Sequence, residues 1–368
     1  MKRPKLLMDG SRVLTNYQDL VTALPGFTIA YAMKANPHER ILQLLENDGS
    51  FFETASSSEI QTLLKKGVNS AKIIFSNTVK PAQAIAEAVK KGIVYQSFDS
   101  ICEAEKFLPY KKTIQPILRI DVSNQGSLWA LNGKFGLSQS LWKELFTYMQ
   151  KNHLPLAGIT FHVGSQCESL ATWGLAMDRA KTAILMAREF GLKPDTLNIG
   201  GGFPIYLGRE VPSVESIGTE IRKKLDSWAN EGIVLKNFFA EPGRYICGSA
   251  GSMVSHVIGI AMREIDNKLE KWIYLDTGVF SGFMETIDGI TYPILSNGSG
   301  ELEEVMLCGP SCDSADKMFK AFLPSPKLND TLYFSGAGAY TTVYSTDFNG
   351  IETPEIIFLN SAEDSVSV

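Results

Sequence analysis

Between residues 25 and 245, short apolar runs alternate with amphipathic helical stretches, and this alternation constrains the fold more than any bulk figure. Strand-like runs fall at 27–34, 51–54, 72–76, 94–98, 115–121, 157–163, 195–199 and 237–241. Helical patterns lie between them, among them Glu39–Asn47, Ser58–Lys66, Pro81–Lys91 and Ala171–Phe190, and several stop at a glycine (Gly67, Gly92, Gly191). Glycine ends helices because it enters the left-handed region without a Cβ clash. Apolar strands separated by helices bury both faces of a parallel sheet, so eight such units predict an α/β fold of the (β/α)8 barrel type. A long insertion between 115–121 and 157–163 leaves the count open by one. A barrel of this kind places its active site at the C-terminal ends of its strands. Lys34, Glu53, Asn77, Asp99, His162, Gly200–Gly202 and Glu241–Arg244 all fall at or just past such ends and are expected to share one site.

After about residue 248 the texture changes. Met253–Met262, Trp272–Leu275, Glu304–Leu307, Thr331–Phe334 and Glu355–Leu359 read as strands separated by turns such as Ser296–Gly300, which predicts a mostly antiparallel C-terminal β domain. The expected division is a barrel over 25–248, and a β domain built from 1–24 with 249–368. The polar residues 360–368 are expected to be loose. Net charge is −5 with no basic stripe, which argues against nucleic acid as a partner. No apolar stretch reaches the ~20 residues of a membrane helix. The first nine residues carry no apolar leader core. The five cysteines are odd in number and lack C-x-x-C spacing, and the four histidines are scattered. A reducing, cytoplasmic setting follows, with neither a disulfide framework nor a metal site expected.

Individual segments carry chemistry. Lys34 ends the first apolar run in Y-A-M-K-A-N-P. If desolvated there, its pKa falls and the free amine attacks aldehydes; otherwise it snorkels to water. The strand at 195–199 runs into Gly200, Gly201 and Gly202, whose N–H groups can encircle a phosphate; Pro204 follows at once and speaks against a dinucleotide fingerprint. F-A-E-P-G-R-Y sets Glu241 and Arg244 at another strand end. The carboxylate can hold a pyridine nitrogen protonated and the guanidinium can bind phosphate, or the two can form a structural ion pair. His162 could stack on an aromatic cofactor and Ser165 could bond a phosphate oxygen, although a lone histidine on an apolar strand also reads as a core residue. G-P-S-C-D-S-A-D sets Cys312 beside Asp313, suited to a proton donor next to an ammonium-binding carboxylate, or simply a buried cysteine and a turn aspartate. A small-residue turn presents Tyr340.

Taken together, Y-A-M-K-A-N-P, F-H-V-G-S, N-I-G-G-G-F-P, E-P-G-R-Y, G-P-S-C-D-S-A-D and G-A-Y-T-T, in this order over about residues 10–360, resemble the pyridoxal 5'-phosphate (PLP) decarboxylases of the alanine-racemase-like barrel type. The best-fitting branch is the bacterial lysine/ornithine decarboxylase group. The resemblance implies decarboxylation of ornithine or lysine to putrescine or cadaverine and CO2. It implies that Lys34 holds PLP covalently and that His162 stacks on the pyridine. Ser165, Gly201, Gly202, Gly243, Arg244 and Tyr340 would bind the cofactor's phosphate side, and Glu241 would pair with the pyridine nitrogen. Cys312 would reprotonate Cα and Asp313 would take the substrate's distal ammonium. Glu53, Arg119 and Lys134 match supporting charged positions. An obligate head-to-tail homodimer with shared active sites is implied as well.

One segment departs from the eukaryotic ornithine decarboxylases, which carry an aspartate–histidine pair in the amine-gripping loop. Here the loop runs from Phe280 to Ile290, and Glu285 and Asp288 are both candidates. Arginine, diaminopimelate and carboxyspermidine-type decarboxylases are alternatives on the same fold. Diaminopimelate enzymes typically show C-E-S-G-D where this chain has C-D-S-A-D, and Asp313 would serve a distal carboxylate poorly. A non-catalytic PLP carrier or inhibitor-like relative fits less well, because every expected cofactor residue is present. An alanine racemase would need tyrosine where Cys312 stands.

Overall fold

The computed structural model describes residues 3–131 and 133–359; the stretch 360–368, expected to be loose, lies outside the described residues. Eight parallel strands close into a barrel in the order Thr28–Ala32, Phe51–Thr54, Ile73–Phe75, Tyr95–Phe98, Gln115–Arg119, Gly158–Thr160, Thr196–Asn198 and Asn237–Ala240. The last pairs back onto the first through Phe239 and Thr28. The insertion after Arg119 adds no barrel strand, since the fifth strand pairs directly with Gly158–Thr160. Alternate side chains point inward, and Ala30, Ile74 and Phe239 form a small cluster of their own. The other faces pack against helices such as Glu39–Asn47, through Ile41, Leu42 and Leu45. Two of these helices begin at serines in Ser-x-x-Glu: Ser56 accepts from the Glu59 N–H and Ser100 from the Glu103 N–H.

Several strands stop short of the sequence expectation. The first ends at Ala32, and Lys34 sits in a 3-10 turn, Met33–Ala35. The sixth ends at Thr160, although Phe161 and Val163 are buried. Apolar residues past a strand end read as strand, yet their backbones leave the ladder to line the barrel mouth.

The second sheet is centred on Gly251–Ile265, which pairs antiparallel with Lys5–Asp9, Lys268–Leu275 and Thr331–Ser335. Two pairings are parallel: Lys5–Asp9 with Glu355–Leu359, and Lys268–Leu275 with Leu302–Cys308. Three strands escaped the sequence reading, the first of them Lys5–Asp9. Ile294–Ser296 is only three residues long, and Lys317–Pro324 alternates lysines and apolar residues between exposed and buried positions. Helix Gly10–Ala23, expected with the β domain, packs on Glu39–Asn47 and Val214–Asn230 in the barrel's outer layer. Among the described residues no helix is long and apolar enough to cross a membrane, and all five cysteines are free.

Candidate active site

The turn carrying Lys34 is pinned between barrel and sheet. Tyr31 Oη donates to Asn36 O at 2.9 Å, Asn36 Nδ2 donates to Gly338 O at 2.9 Å, and the Tyr340 N–H donates to Ala35 O at 2.7 Å. Asn36 is wholly buried, so these bonds fix the backbone on both sides of Lys34. Lys34 Nζ lies 3.1 Å from Glu53 Oε2. Desolvation alone would lower the lysine pKa, but the Glu53 carboxylate, with smaller pulls from Tyr340 and Glu241, outweighs it and raises the pKa above the ordinary value. Of the two sequence expectations for Lys34, the side chain follows the less desolvated one, and the Glu53 carboxylate beside it favours the ammonium over the free amine.

Glu241 faces the same space. Its Oε1 accepts from Asn198 Nδ2 at 2.6 Å and from Ser76 Oγ. Burial, and then the charge of Glu53, push its carboxyl up to about 7 against those two hydrogen bonds. A carboxyl so placed pairs readily with a cationic ring nitrogen. His162 Nδ1 accepts from the Gly164 N–H at 3.0 Å, which assigns the ring proton to Nε2. Burial, with the charges of Arg119 and Lys34, holds its pKa well below the usual value, so the imidazole is neutral.

A third group forms an anion-binding cup. Arg244 is 3% exposed. Its Nη2 donates to Glu285 Oε1 at 2.5 Å and to Ser165 Oγ at 3.3 Å, and its guanidinium lies 4.9 Å from the Tyr340 ring centre. Its Nη1 is buried with no hydrogen-bond partner. Burial opposes its charge, but Glu285 outweighs burial and raises the pKa. Tyr340 adopts φ +62°, a strained left-handed conformation for a bulky residue. Burial pushes its hydroxyl up to about 12. Gly202 has φ +107°, and a Cβ there would lie 2.4 Å from Gly164 O. A Cβ on Gly243 would lie 2.9 Å from Ala35 Cβ and 3.3 Å from Tyr340 Oη. Backbone N–H groups can approach a bound anion at these positions because no side chain intervenes.

Two cavities of about 200 and 240 Å3 share Lys34, Arg119, Phe135, His162 and Glu241 as walls. Together they fall within the ~300–1,000 Å3 of small-molecule sites. Ser165, Gly201, Gly202, Gly243, Arg244, Glu285 and Tyr340 line one, and Glu53 lines the other. Several candidates, Asp99 and Lys134 among them, lie elsewhere. Asp288 is exposed at the end of the 3-10 turn Met284–Asp288 and lines neither cavity, so of the two loop carboxylates only Glu285 faces this space. Cys312 is exposed, not buried, and neither it nor the adjacent Asp313 lines either cavity. Their loop is held by buried Asp316, whose carboxylate accepts from the Val279 N–H at 2.7 Å and the Ser311 N–H at 3.0 Å. Lys134 Nζ sits 4.9 Å from the Phe135 ring centre.

Sequence reasoning missed Ser76 and Asn198, which hold Glu241, and the apolar wall of Trp129, Leu131 and Phe135. Ser76 and Asn198 fall at strand ends, so the rule that located Lys34 could have found them.

Residues 11–248 match the family model described as "Pyridoxal-dependent decarboxylase, pyridoxal binding domain". Lysine/ornithine decarboxylase of Selenomonas ruminantium is 35% identical over 372 residues, covering 98% of this chain and 91% of that protein. The crystal structure of Vibrio vulnificus lysine/ornithine decarboxylase complexed with cadaverine superposes with a TM-score of 0.85 at 30% identity, covering 97% and 94% of the two chains. That of the Paramecium bursaria Chlorella virus arginine decarboxylase gives 0.87 at 26% identity, covering 98% and 96%. The chain belongs to the pyridoxal-dependent decarboxylases and is a PLP-dependent carboxy-lyase. The site fits that cofactor: an unpartnered buried guanidinium nitrogen and a cradle of glycines suit its phosphate, and Glu241 suits its ring nitrogen.

Proposed function

We propose that this enzyme decarboxylates ornithine or lysine to the corresponding diamine and CO2. The observation that carries the reading is the common cavity joining an amine at Lys34, a carboxyl at Glu241 and an anion cup at Arg244. PLP, when bound, supplies an electron sink for the charge left as the carboxylate departs. Lys34 would hold the cofactor through its amine, and Glu53 at 3.1 Å is placed to exchange the lysine proton. Glu241, oriented by Ser76 and Asn198, would keep a proton on the pyridine nitrogen. His162 would cover one face of the ring without adding charge. Arg244, Ser165, Gly201, Gly202, Gly243 and Tyr340 would bind the phosphate side, and Arg119 borders the ring.

Cys312, the expected donor of the Cα proton, does not line this chain's own cavity. The enzyme acts as a homodimer, in which the partner subunit's Cys312 supplies that proton and the partner subunit's Asp313 takes the distal ammonium. Supporting this, the loop is exposed yet anchored by Asp316, and an open groove beside Lys34 is lined by Val343 and Tyr344. Glu285 is the loop carboxylate placed to sense substrate or cofactor from within. The barrel and the sheet are the two working units, meeting at Lys34 and Tyr340. Five free cysteines suit a reducing, cytoplasmic setting.

Arginine remains the second reading, since a guanidinium also seeks carboxylates and the virus arginine decarboxylase shares the fold. An assay of CO2 release from ornithine, lysine, arginine and meso-diaminopimelate tests the choice. Fastest turnover with ornithine or lysine is expected; turnover confined to arginine or diaminopimelate would overturn it.

A further inference from the structure

Lys80 is buried in the barrel wall, 1% exposed, and no sequence motif marks it. Its Nζ donates to Asn77 O at 2.6 Å and to Ser97 O, and lies 5.4 Å from the ring centres of both Phe75 and Phe107. Its backbone is locked too: the N–H donates to Glu103 Oε2 at 3.2 Å, and the carbonyl accepts from Lys106 Nζ at 2.8 Å. Burying an ammonium is costly unless its donors are satisfied, so the position asks what those bonds hold together.

The two carbonyls belong to different strand ends. Asn77 follows the third barrel strand and Ser97 lies in the fourth. Between these strands the ladder is thinnest: Phe75 and Gln96 are the only residues in register, whereas the neighbouring seams hold three and four pairs. Both banks of this seam support the active site. On one, Ser76 Oγ donates to Glu241. On the other, Asp99 Oδ2 accepts from the Gly136 N–H at 2.9 Å, fixing the loop whose Phe135 lies 5.1 Å from the Arg119 guanidinium.

We propose that Lys80 is a positioning residue: it laces the third and fourth barrel strands where their ladder fails, and so holds the Ser76 hydroxyl on Glu241. Burial drives its pKa down to about 7 against the pull of Glu103 and Asp99. Losing one proton still leaves N–H donors for the two carbonyls, so the lacing does not depend on the charge. The catalytic half of this inference rests on Glu241 as partner of the pyridine nitrogen; the structural half does not.

The test compares Lys80→Met, Ser76→Ala and the double variant. In the cofactor-free protein, hydrogen exchange in peptides spanning 73–80 and 95–99 is expected to quicken at least about tenfold in Lys80→Met, with the strand at 196–198 unchanged. In the PLP-loaded protein, the pH midpoint of the cofactor's absorbance is expected to move by about one unit in both single variants, and no further in the double. Lys80→Gln, which keeps an N–H donor, should fall between wild type and Met in both readouts, and it carries the test if Met does not fold. Unchanged exchange at the seam, or midpoint shifts that add in the double variant, would overturn the proposal. A midpoint indifferent to Ser76→Ala, with the seam opened by Lys80→Met, would instead defeat the reading of Glu241 and leave the lacing standing.

Discussion

Glu241→Gln probes the electrostatics of the cofactor-free site directly. Burial and Glu53 move the wild-type carboxyl from 4.5 up to about 7. At about 1.4 kcal/mol per pH unit, that rise corresponds to roughly 3 to 4 kcal/mol at most. The folded protein holds this proton at pH values where the unfolded chain has released it. The stabilisation is therefore complete below pH 4.5 and is lost as pH rises to about 7. Glutamine does not titrate and keeps an oxygen for Asn198 and Ser76. The stability of Glu241→Gln relative to wild type should accordingly improve by up to roughly 3 to 4 kcal/mol between about pH 4.5 and 7.5. Urea unfolding of the two cofactor-free proteins across that range measures it. Adding PLP should reverse the ranking above neutrality, because only the carboxylate can pair with a protonated ring. A wild-type–variant difference that does not change with pH, or that changes in the opposite sense, would refute the reasoning.

The remaining expectations concern the cup and the loop. Gly202→Ala forces a Cβ to 2.4 Å from Gly164 O at φ +107°, so PLP affinity should fall at least about tenfold in fluorescence titration. Cys312→Ala should divert turnover toward misprotonated, transaminated product; clean diamine at the normal rate would count against its donor role. Mixing Lys34→Ala with Cys312→Ala protein should recover about a quarter of the wild-type rate of diamine formation if subunits exchange at random and each dimer shares its sites. Asp313→Ala should raise KM for the diamino acid far more than it lowers kcat, and an unchanged KM would place the distal ammonium elsewhere.

The barrel was readable from the chain because its strands are short apolar runs followed by helical stretches, several of which stop at a glycine. Position at strand ends was enough to bring Lys34, Glu53, His162, Glu241 and Arg244 into one site. What the residues did there was less legible. The direction of the Lys34 pKa depended on Glu53 standing 3.1 Å away, a distance no pattern encodes. Glu285 and Asp288 lie three residues apart, and only the path of the 3-10 turn turns one inward and leaves the other exposed. In C-D-S-A-D both aspartates look alike, yet Asp316 is the buried anchor of the loop and Asp313 is the exposed one. Lys80 follows Thr78 and Val79 and precedes Pro81, which reads as a surface turn. Its burial follows from the convergence of two strand ends and the helix Ile101–Phe107 upon it.

Lys34 and Lys80 offer opposite credentials for the amine that carries the cofactor: Lys34 lines the cavity but is held as an ammonium, while Lys80 is less basic but sealed in the wall. Borohydride reduction of the PLP-loaded protein, followed by peptide mass mapping, decides between position and basicity. A pyridoxyl group on the peptide containing Lys34 alone is the predicted result. The same mass on Lys80, on Lys134 or on no single lysine would contradict the account.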